Sequence, residues 1–248
     1  MGVVEQLPTH PQAWLTTLQW QPDTDQQRAF QTLYEVILAT NQQVNLTRIT
    51  APDDFWEKHL WDSLQGISPW LADAAQADTH RRVIDIGTGG GFPGLPIALV
   101  FPHWQLSLMD STRKKIVALE AVVQTLGLTH VSLLPERAEQ VGHQPAHREA
   151  YDLALVRAVG SANTCAEYAL PLLKPSGRAV LYRGQWTQAE EASLAAILPR
   201  LGGQLLEVRA VTTPLTQGFR HNIDVEKVAP TPNEYPRRPG IPAKTPLI

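Results

Sequence analysis

Apolar positions along this chain repeat with two different periods, and the change of period divides it. Over residues 25–45, Phe30, Leu33, Tyr34, Ile37 and Val44 recur at helical spacing, the buried face of an amphipathic helix. Residues 52–64 carry a second stripe in Phe55, Trp56, Leu60 and Leu64, and a polar stretch over 73–82 follows. Beyond it, short apolar runs at 83–86, 106–109, 131–134, 153–156 and 179–182 read as buried strands. Amphipathic stretches at 95–101, 113–126, 136–141, 164–173 and 188–201 lie between them. Strands alternating with helices predict a parallel sheet covered on both faces, with right-handed crossovers.

The alternation breaks at its end. Runs at 205–211 and 222–228 have strand character, and 212–221 between them has no helical period, so the pair predicts an antiparallel hairpin at the sheet edge. Five alternating strands and this pair make seven. That is the α/β, Rossmann-like sheet of class I methyltransferases, with its last strand antiparallel; a plain dinucleotide-binding sheet has six, all parallel. The expected organisation is an N-terminal helical extension (1–78), a Rossmann-like cofactor-binding domain (79–228) and a Pro/Arg-rich tail (229–248). The tail holds six of the 20 prolines together with Arg237, Arg238 and Lys244. It is expected to be extended, either as a disordered end or as a flexible basic arm for a polyanion.

Composition narrows the function without naming it. The 248 residues carry a net charge of −3, which excludes a strong general affinity for nucleic acid and leaves only local basic patches: Arg81-Arg82, Arg113-Lys114-Lys115, Arg137 and the tail. The single Cys165 sits in an apolar-rich stretch and is expected to pack, as in a protein of a reducing compartment. No apolar run reaches the roughly 20 residues of a membrane span, and residues 1–6 have no signal-peptide character. A cytoplasmic monomer with no membrane contact is expected. The histidines have no metal-ligand spacing, because Pro145 breaks the one pair four apart, His143 and His147.

The candidate chemistry lies where the first strand runs into Asp85-Ile86-Gly87-Thr88-Gly89-Gly90-Gly91-Phe92-Pro93-Gly94. Glycines permit positive φ and close approach of a ligand, and the following helix is expected to aim free amides and its positive dipole end at that ligand. Two readings compete. Gly89-x-Gly91-x-x-Gly94 spells a dinucleotide fingerprint, with Asp110 about 20 residues on, where a ribose-binding acid belongs. In the other frame Asp85 precedes Gly87 and Gly89 at the strand end, where a carboxylate suits the ammonium group of S-adenosylmethionine and does not suit a pyrophosphate. Asp110, closing the second strand beside Ser111, is expected to accept from ribose hydroxyls in either case.

Several segments together resemble one family, the bacterial 16S ribosomal RNA guanine-N7 methyltransferase RsmG, also called glucose-inhibited division protein B. They are Asn45-Leu46-Thr47, Lys58-His59-Leu60-Trp61-Asp62-Ser63-Leu64, the glycine turn with its Gly-Phe-Pro-Gly-Leu-Pro exit, Asp110-Ser111, Arg137-Ala138-Glu139, Val156-Arg157-Ala158, Gly184-Gln185, Arg220-His221 and Tyr235-Pro236-Arg237-Arg238-Pro239-Gly240. The resemblance implies methyl transfer from S-adenosylmethionine to N7 of a guanine in the 530 loop of 16S rRNA, on the rRNA or the small ribosomal subunit. It further implies cofactor contacts at Gly87, Phe92, Asp110, Ala138, Glu139 and Arg157, with Ala138 and Glu139 holding the adenine. Many members carry Lys before the Gly-Gln pair; this chain has Arg183, a fork in place of a point charge.

Guanine N7 has a free lone pair and carries no proton, so no general base is expected. Arg157, Arg183 and Arg137 are the candidates for positioning the guanine or its phosphates. His59 and Asp62, three apart on one helical face, are expected to pair with each other or to meet substrate. Competing readings are a methyltransferase for a small molecule or a protein, an NAD-type oxidoreductase, and a nucleotide-binding module without catalysis.

Overall fold

The computed structural model describes residues 5–72 and 79–248. Its centre is a seven-stranded sheet in the order β3-β2-β1-β4-β5-β7-β6. The strands are β1 (Arg82–Ile86), β2 (Gln105–Met109), β3 (Val131–Leu134), β4 (Tyr151–Arg157), β5 (Leu173–Arg183), β6 (Gly203–Thr212) and β7 (Phe219–Lys227). The first five pair in parallel, and β7 runs antiparallel to both β5 and β6. The expected edge hairpin is present, with β7 as its inner strand and β6 outermost. β7 earns the inner place by carrying Ile223 and Val225, both fully buried.

Ten helices lie among the described residues, not counting two short 3-10 turns: α1 (Pro11–Leu18), α2 (Thr24–Asn41), α3 (52–65), α4 (Ser68–Leu71), α5 (Gly94–Val100), α6 (Arg113–Thr125), α7 (Ala138–Val141), α8 (Ala162–Ala169), α9 (Gln188–Ile197) and α10 (Ile241–Lys244). Helix α2 starts on a capping box, Asp23 accepting from the Gln26 amide while the Gln26 side chain answers the Asp23 amide. Helix α3 has a π-helical middle at Trp56–Trp61 between α-helical ends.

Side chains alternate across the sheet, so each face has its own core. On one face Val83, Leu106, Leu108, Leu153 and Val180 pack with Trp14, Phe30, Phe55, Trp56 and Trp61 of the N-terminal helices in one cluster. On the other, Ile84, Ile86, Ala154, Val156 and Leu181 pack with Cys165, Leu170, Leu194, Tyr235 and Leu247. The N-terminal region is thus one of the layers that cover the sheet. Cys165 is buried, as expected, and its thiol is pushed up to about 12 by that burial.

The C-terminal stretch corrects the expectation of a disordered end or flexible arm. Arg237 forms a multiply bonded pair with Glu167, a carboxylate with no exposed surface, at 2.7 Å from Nη2 to Oε2. Arg148 donates to the carbonyls of Thr231, Pro232 and Tyr235. Thr164 Oγ1 donates to Pro242 O, and Asn163 Nδ2 to Leu247 O. The prolines suit this role: they spare the chain amides that would otherwise need partners on a docked, non-helical path.

Candidate active site

The glycine turn leaves the carboxyl end of β1, the sheet edge at which ligands bind in open α/β folds. Gly87 has φ +74°, and a Cβ there would stand 2.5 Å from Val159 Cγ2. Only glycine allows this conformation and this closeness together. Asp85 lies beneath the turn, 1% exposed, and is not among the residues lining the clefts over it. Its Oδ2 accepts from Thr88 Oγ1 (2.7 Å) and from the Gly94 amide at the first turn of α5 (2.8 Å), while Oδ1 has no hydrogen-bond partner. Burial pushes its carboxyl up to about 6, against those two hydrogen bonds. In this structure Asp85, expected at the cofactor's ammonium, is turned away from the clefts. The strand end points this side chain at the start of α5, where it ties turn to helix.

The free amides expected of the turn are corrected too. Gly87 and Thr88 donate to Met109 O, Gly91 and Phe92 to Thr88 O, and Gly89 to Asp110 Oδ2. With those donors spent inside the protein, the turn is a poor nest for a pyrophosphate.

Two adjoining clefts lie over the turn. One, of about 230 Å³, is lined by Gly87, Asp110, Ser111, Arg137, Ala138 and Glu139 together with Ile86, Met109, Glu136, Val159, Tyr168 and Ala243. The next, of about 370 Å³, runs from Gly87, Gly89 and Phe92 past Lys115 to Arg157 and Ala158. Asp110 closes β2 between them, with Oδ1 accepting from the Thr112 amide and Oδ2 from Gly89. Glu139, 4% exposed, accepts through Oε1 from Tyr168 Oη (3.2 Å) and from the Gly240 amide of the tail (2.9 Å). Burial and then the Glu139 charge raise the Tyr168 phenol, which stays a donor. Acidic side chains and spent amides fit a ligand bearing hydroxyls, an amine and a positive centre. They do not fit a dinucleotide.

A third cleft, of about 360 Å³, shares Arg157 and Ala158 with the second and extends over Tyr182, Arg183, Gly184, Gln185, Arg220 and Asn222. Ala158 sits at the junction in the left-handed region (φ 58°), a conformation costing a non-glycine residue on the order of 1 kcal/mol. Asp62 is the centre of this cleft's charge. Its Oδ2 accepts from Arg157 Nη1 (2.9 Å) and its Oδ1 from Arg220 Nε (3.0 Å).

Comparison with known proteins fits this arrangement. The family model described as "rRNA small subunit methyltransferase G" (GidB) matches residues 26–217. The ribosomal RNA small subunit methyltransferase G of Trichormus variabilis is 52% identical over 97% of this chain and 98% of its own length. That of Synechococcus sp. (strain JA-2-3B'a(2-13)) is 51% identical over 95% and 91%. This chain belongs to the RsmG (GidB) family. The sheet is also similar to that of a 16S rRNA (adenine(1408)-N(1))-methyltransferase variant from Catenulisporales acidiphilia holding the cosubstrate SAM, with a TM-score of 0.51, 20% identity, and coverage of 64% of this chain and 90% of that one. That likeness establishes the class I methyltransferase fold.

Within this RsmG-family chain, the structure gathers most of the residues singled out in the sequence and scatters the rest. Gly87, Gly89, Phe92, Asp110, Ser111, Ala138, Glu139 and Arg157 all line the first two clefts. Arg157 and Arg183 reach the third, while Arg137 lines the first. Arg183 is partly spent on the carbonyl of Gly160 and on Glu190. His59 and Asp62 do not pair. His59 Nε2 bonds Thr47 Oγ1, and its ring stacks on Phe92 at 3.9 Å between centroids. Burial, then the charge of Arg157, pushes His59 down to about 3, so it is a neutral wedge that fixes Phe92. Arg81 and Arg82 lie at the amino end of β1, away from the clefts. Sequence reading missed Arg220 and Asn222 as site residues. Their i, i+2 spacing on β7 puts both on one face, and Arg220 falls in a motif that the resemblance had already marked.

Proposed function

We propose that this chain methylates N7 of a guanine in the 530 loop of 16S rRNA, using S-adenosylmethionine. The observation that carries this reading is the junction at Arg157 and Ala158, where the cofactor clefts open into a pocket with no side chain ready to take a proton. Both Asp62 oxygens already accept from arginines. Tyr182, raised well above its ordinary value by burial, donates to Ser63 O. His59 is a weak base turned to Thr47. Such a site suits an acceptor that loses no proton on methylation, as guanine N7 does and a ribose hydroxyl does not.

When bound, S-adenosylmethionine supplies an electrophilic methyl group that guanine N7 takes up with its own lone pair, the C–S electron pair remaining on sulfur. The chain's share is binding, alignment and exclusion of water. The Gly87–Gly89 backbone and Asp110 would hold the ribose end of the cofactor, and Ala138 and Glu139 its adenine. Phe92, backed by His59, would wall the reacting centre. Arg157 and Arg183 would steady the guanine or its phosphates. In this reading the N-terminal region (1–78) walls the site, the Rossmann-like unit (79–228) carries it and the tail (229–248) closes it. The protein would act as a cytoplasmic monomer.

Methyl-labelled S-adenosylmethionine and unmodified small subunits test the reading. Label should enter 16S rRNA, and cleavage chemistry specific for 7-methylguanine should cut in the 530 loop. No label in the rRNA, or label at another atom, overturns it.

A further inference from the structure

A groove of about 660 Å³, roomier than any of the three clefts, lies outside them between the end of α2 and the first turns of α6. Its apolar lining is Ala39, Val44, Val117, Ala118 and Ala121, and Val117 is left 55% exposed there. Its charged lining is Arg113 and Lys114, both exposed, with no acid. The next residue, Lys115, lines the second cleft beside Gly89 and Asp110. Helix α6 starts just past the carboxyl end of β2, so groove and cofactor clefts lie side by side along one edge of the sheet. Nothing within the fold accounts for these cations. Three in succession repel one another, and the first turn is the end of a helix that disfavours positive charge. The first turn of α6 holds no acid, and Thr112 supplies no side-chain cap. Among the described residues, no ion pair or hydrogen bond engages the side chains of Arg113, Lys114 or Lys115. In a chain of net charge −3, this is a local concentration of the opposite sign.

We propose that this groove holds the rRNA strand flanking the acceptor guanine, with Arg113 and Lys114 on its phosphates and a sugar or base against Val117. An unpaired RNA strand alternates the two features that the groove answers, an anionic phosphate and the flat face of a base. Contacts to phosphate position a strand without reading its sequence. The groove therefore adds affinity and register, and it leaves the methyl transfer to the clefts, with which it shares no lining residue. It also separates two basic runs that the sequence left equal. Arg113-Lys114 stands at the carboxyl edge of the sheet beside the site, whereas Arg81-Arg82 stands at the amino end of β1. The inference rests on the reading of 16S rRNA as substrate.

Steady-state methylation of small subunits, and binding to them between 50 and 200 mM salt (roughly the range over which phosphate contacts show), test it. The double variant Arg113→Gln/Lys114→Gln should raise KM for subunits by about 10-fold, with kcat and the affinity for S-adenosylhomocysteine within about twofold of wild type. Its plot of log affinity against log salt should be shallower by about 1.5, the loss of two phosphate contacts. Val117→Glu, which keeps both cations, should raise KM by about fivefold or more. Arg81→Gln/Arg82→Gln, with the same change of charge at the far edge, should leave KM and the salt slope as they are. An unchanged KM or salt slope in the Arg113/Lys114 variant, or an equal rise in KM in the Arg81/Arg82 variant, would overturn the proposal. So would a matching loss of S-adenosylhomocysteine affinity, which would place the cations at the cofactor. Val117→Glu also answers the question should the double variant fail to fold. Wild-type protein that labels no rRNA would instead remove the underlying reading.

Discussion

At the scale of single residues, Asp85 shows how burial redirects a motif side chain. A carboxylate at a strand end before a glycine turn is a natural partner for a cationic ligand. Burial turned it inward instead, onto Thr88 and the Gly94 amide. A Cβ on Gly94 would stand 2.9 Å from Asp85 Oδ2 and 2.2 Å from Leu108 Cδ2, so the glycine is needed for the helix start to reach the carboxylate. The desolvated carboxyl titrates at about 6, above its ordinary 3.8. A raised folded pKa means that the native state holds its proton more tightly than the unfolded chain does. Its contribution is full below pH 3.8 and is lost as pH rises through about 6, a change on the order of 3 kcal/mol. Asp85→Asn removes this titration. Urea unfolding of both proteins at pH 4, 5, 6 and 7 should show the variant gaining on wild type as pH rises. Parallel curves would show that Asp85 is not desolvated in this way.

At the scale of elements, the tail departs most from its sequence. Proline content and basic residues suggest an extended arm, and the chain is indeed largely non-helical there, with only the short α10. What composition does not show is that a fully buried acid, Glu167 on α8, waits for Arg237. Removing one partner from such a pair leaves a buried charge uncompensated, at a cost on the order of 3 kcal/mol. Arg237→Ala should therefore lower the thermal midpoint. It should also weaken S-adenosylhomocysteine binding in calorimetry, because Gly240 bonds Glu139 and Ala243 lines the cofactor cleft. An unchanged midpoint would mean that the docked tail contributes little. Element α3 makes the same point from the other side. Its apolar stripe was legible, whereas the partners of its polar residues were not: Asp62 reaches 95 residues along the chain to Arg157 and 158 to Arg220.

At the scale of the whole molecule, the choice between a dinucleotide and S-adenosylmethionine is made by sheet topology and by where the turn's amides go. Thermal shift with each ligand checks it. S-adenosylhomocysteine at about 100 times its Kd should stabilise by about 2.7 kcal/mol, or roughly 5–10 °C for a chain of this size. NADH should do nothing measurable, and stabilisation by NADH alone would sink the methyltransferase reading. By itself the sequence determined the seven strands and the helices between them, the edge hairpin, the position of the glycine turn and most of the residues that line the first two clefts. These are local signals, carried by period, turn chemistry and motif. Tertiary structure alone decided that the N-terminal helices share the core of one sheet face, that Asp85 serves the turn, that the tail is docked, and that Asp62 joins Arg157 to Arg220. Each of these depends on which polar group finds a partner far along the chain, and hydrophobic periodicity carries no record of that pairing.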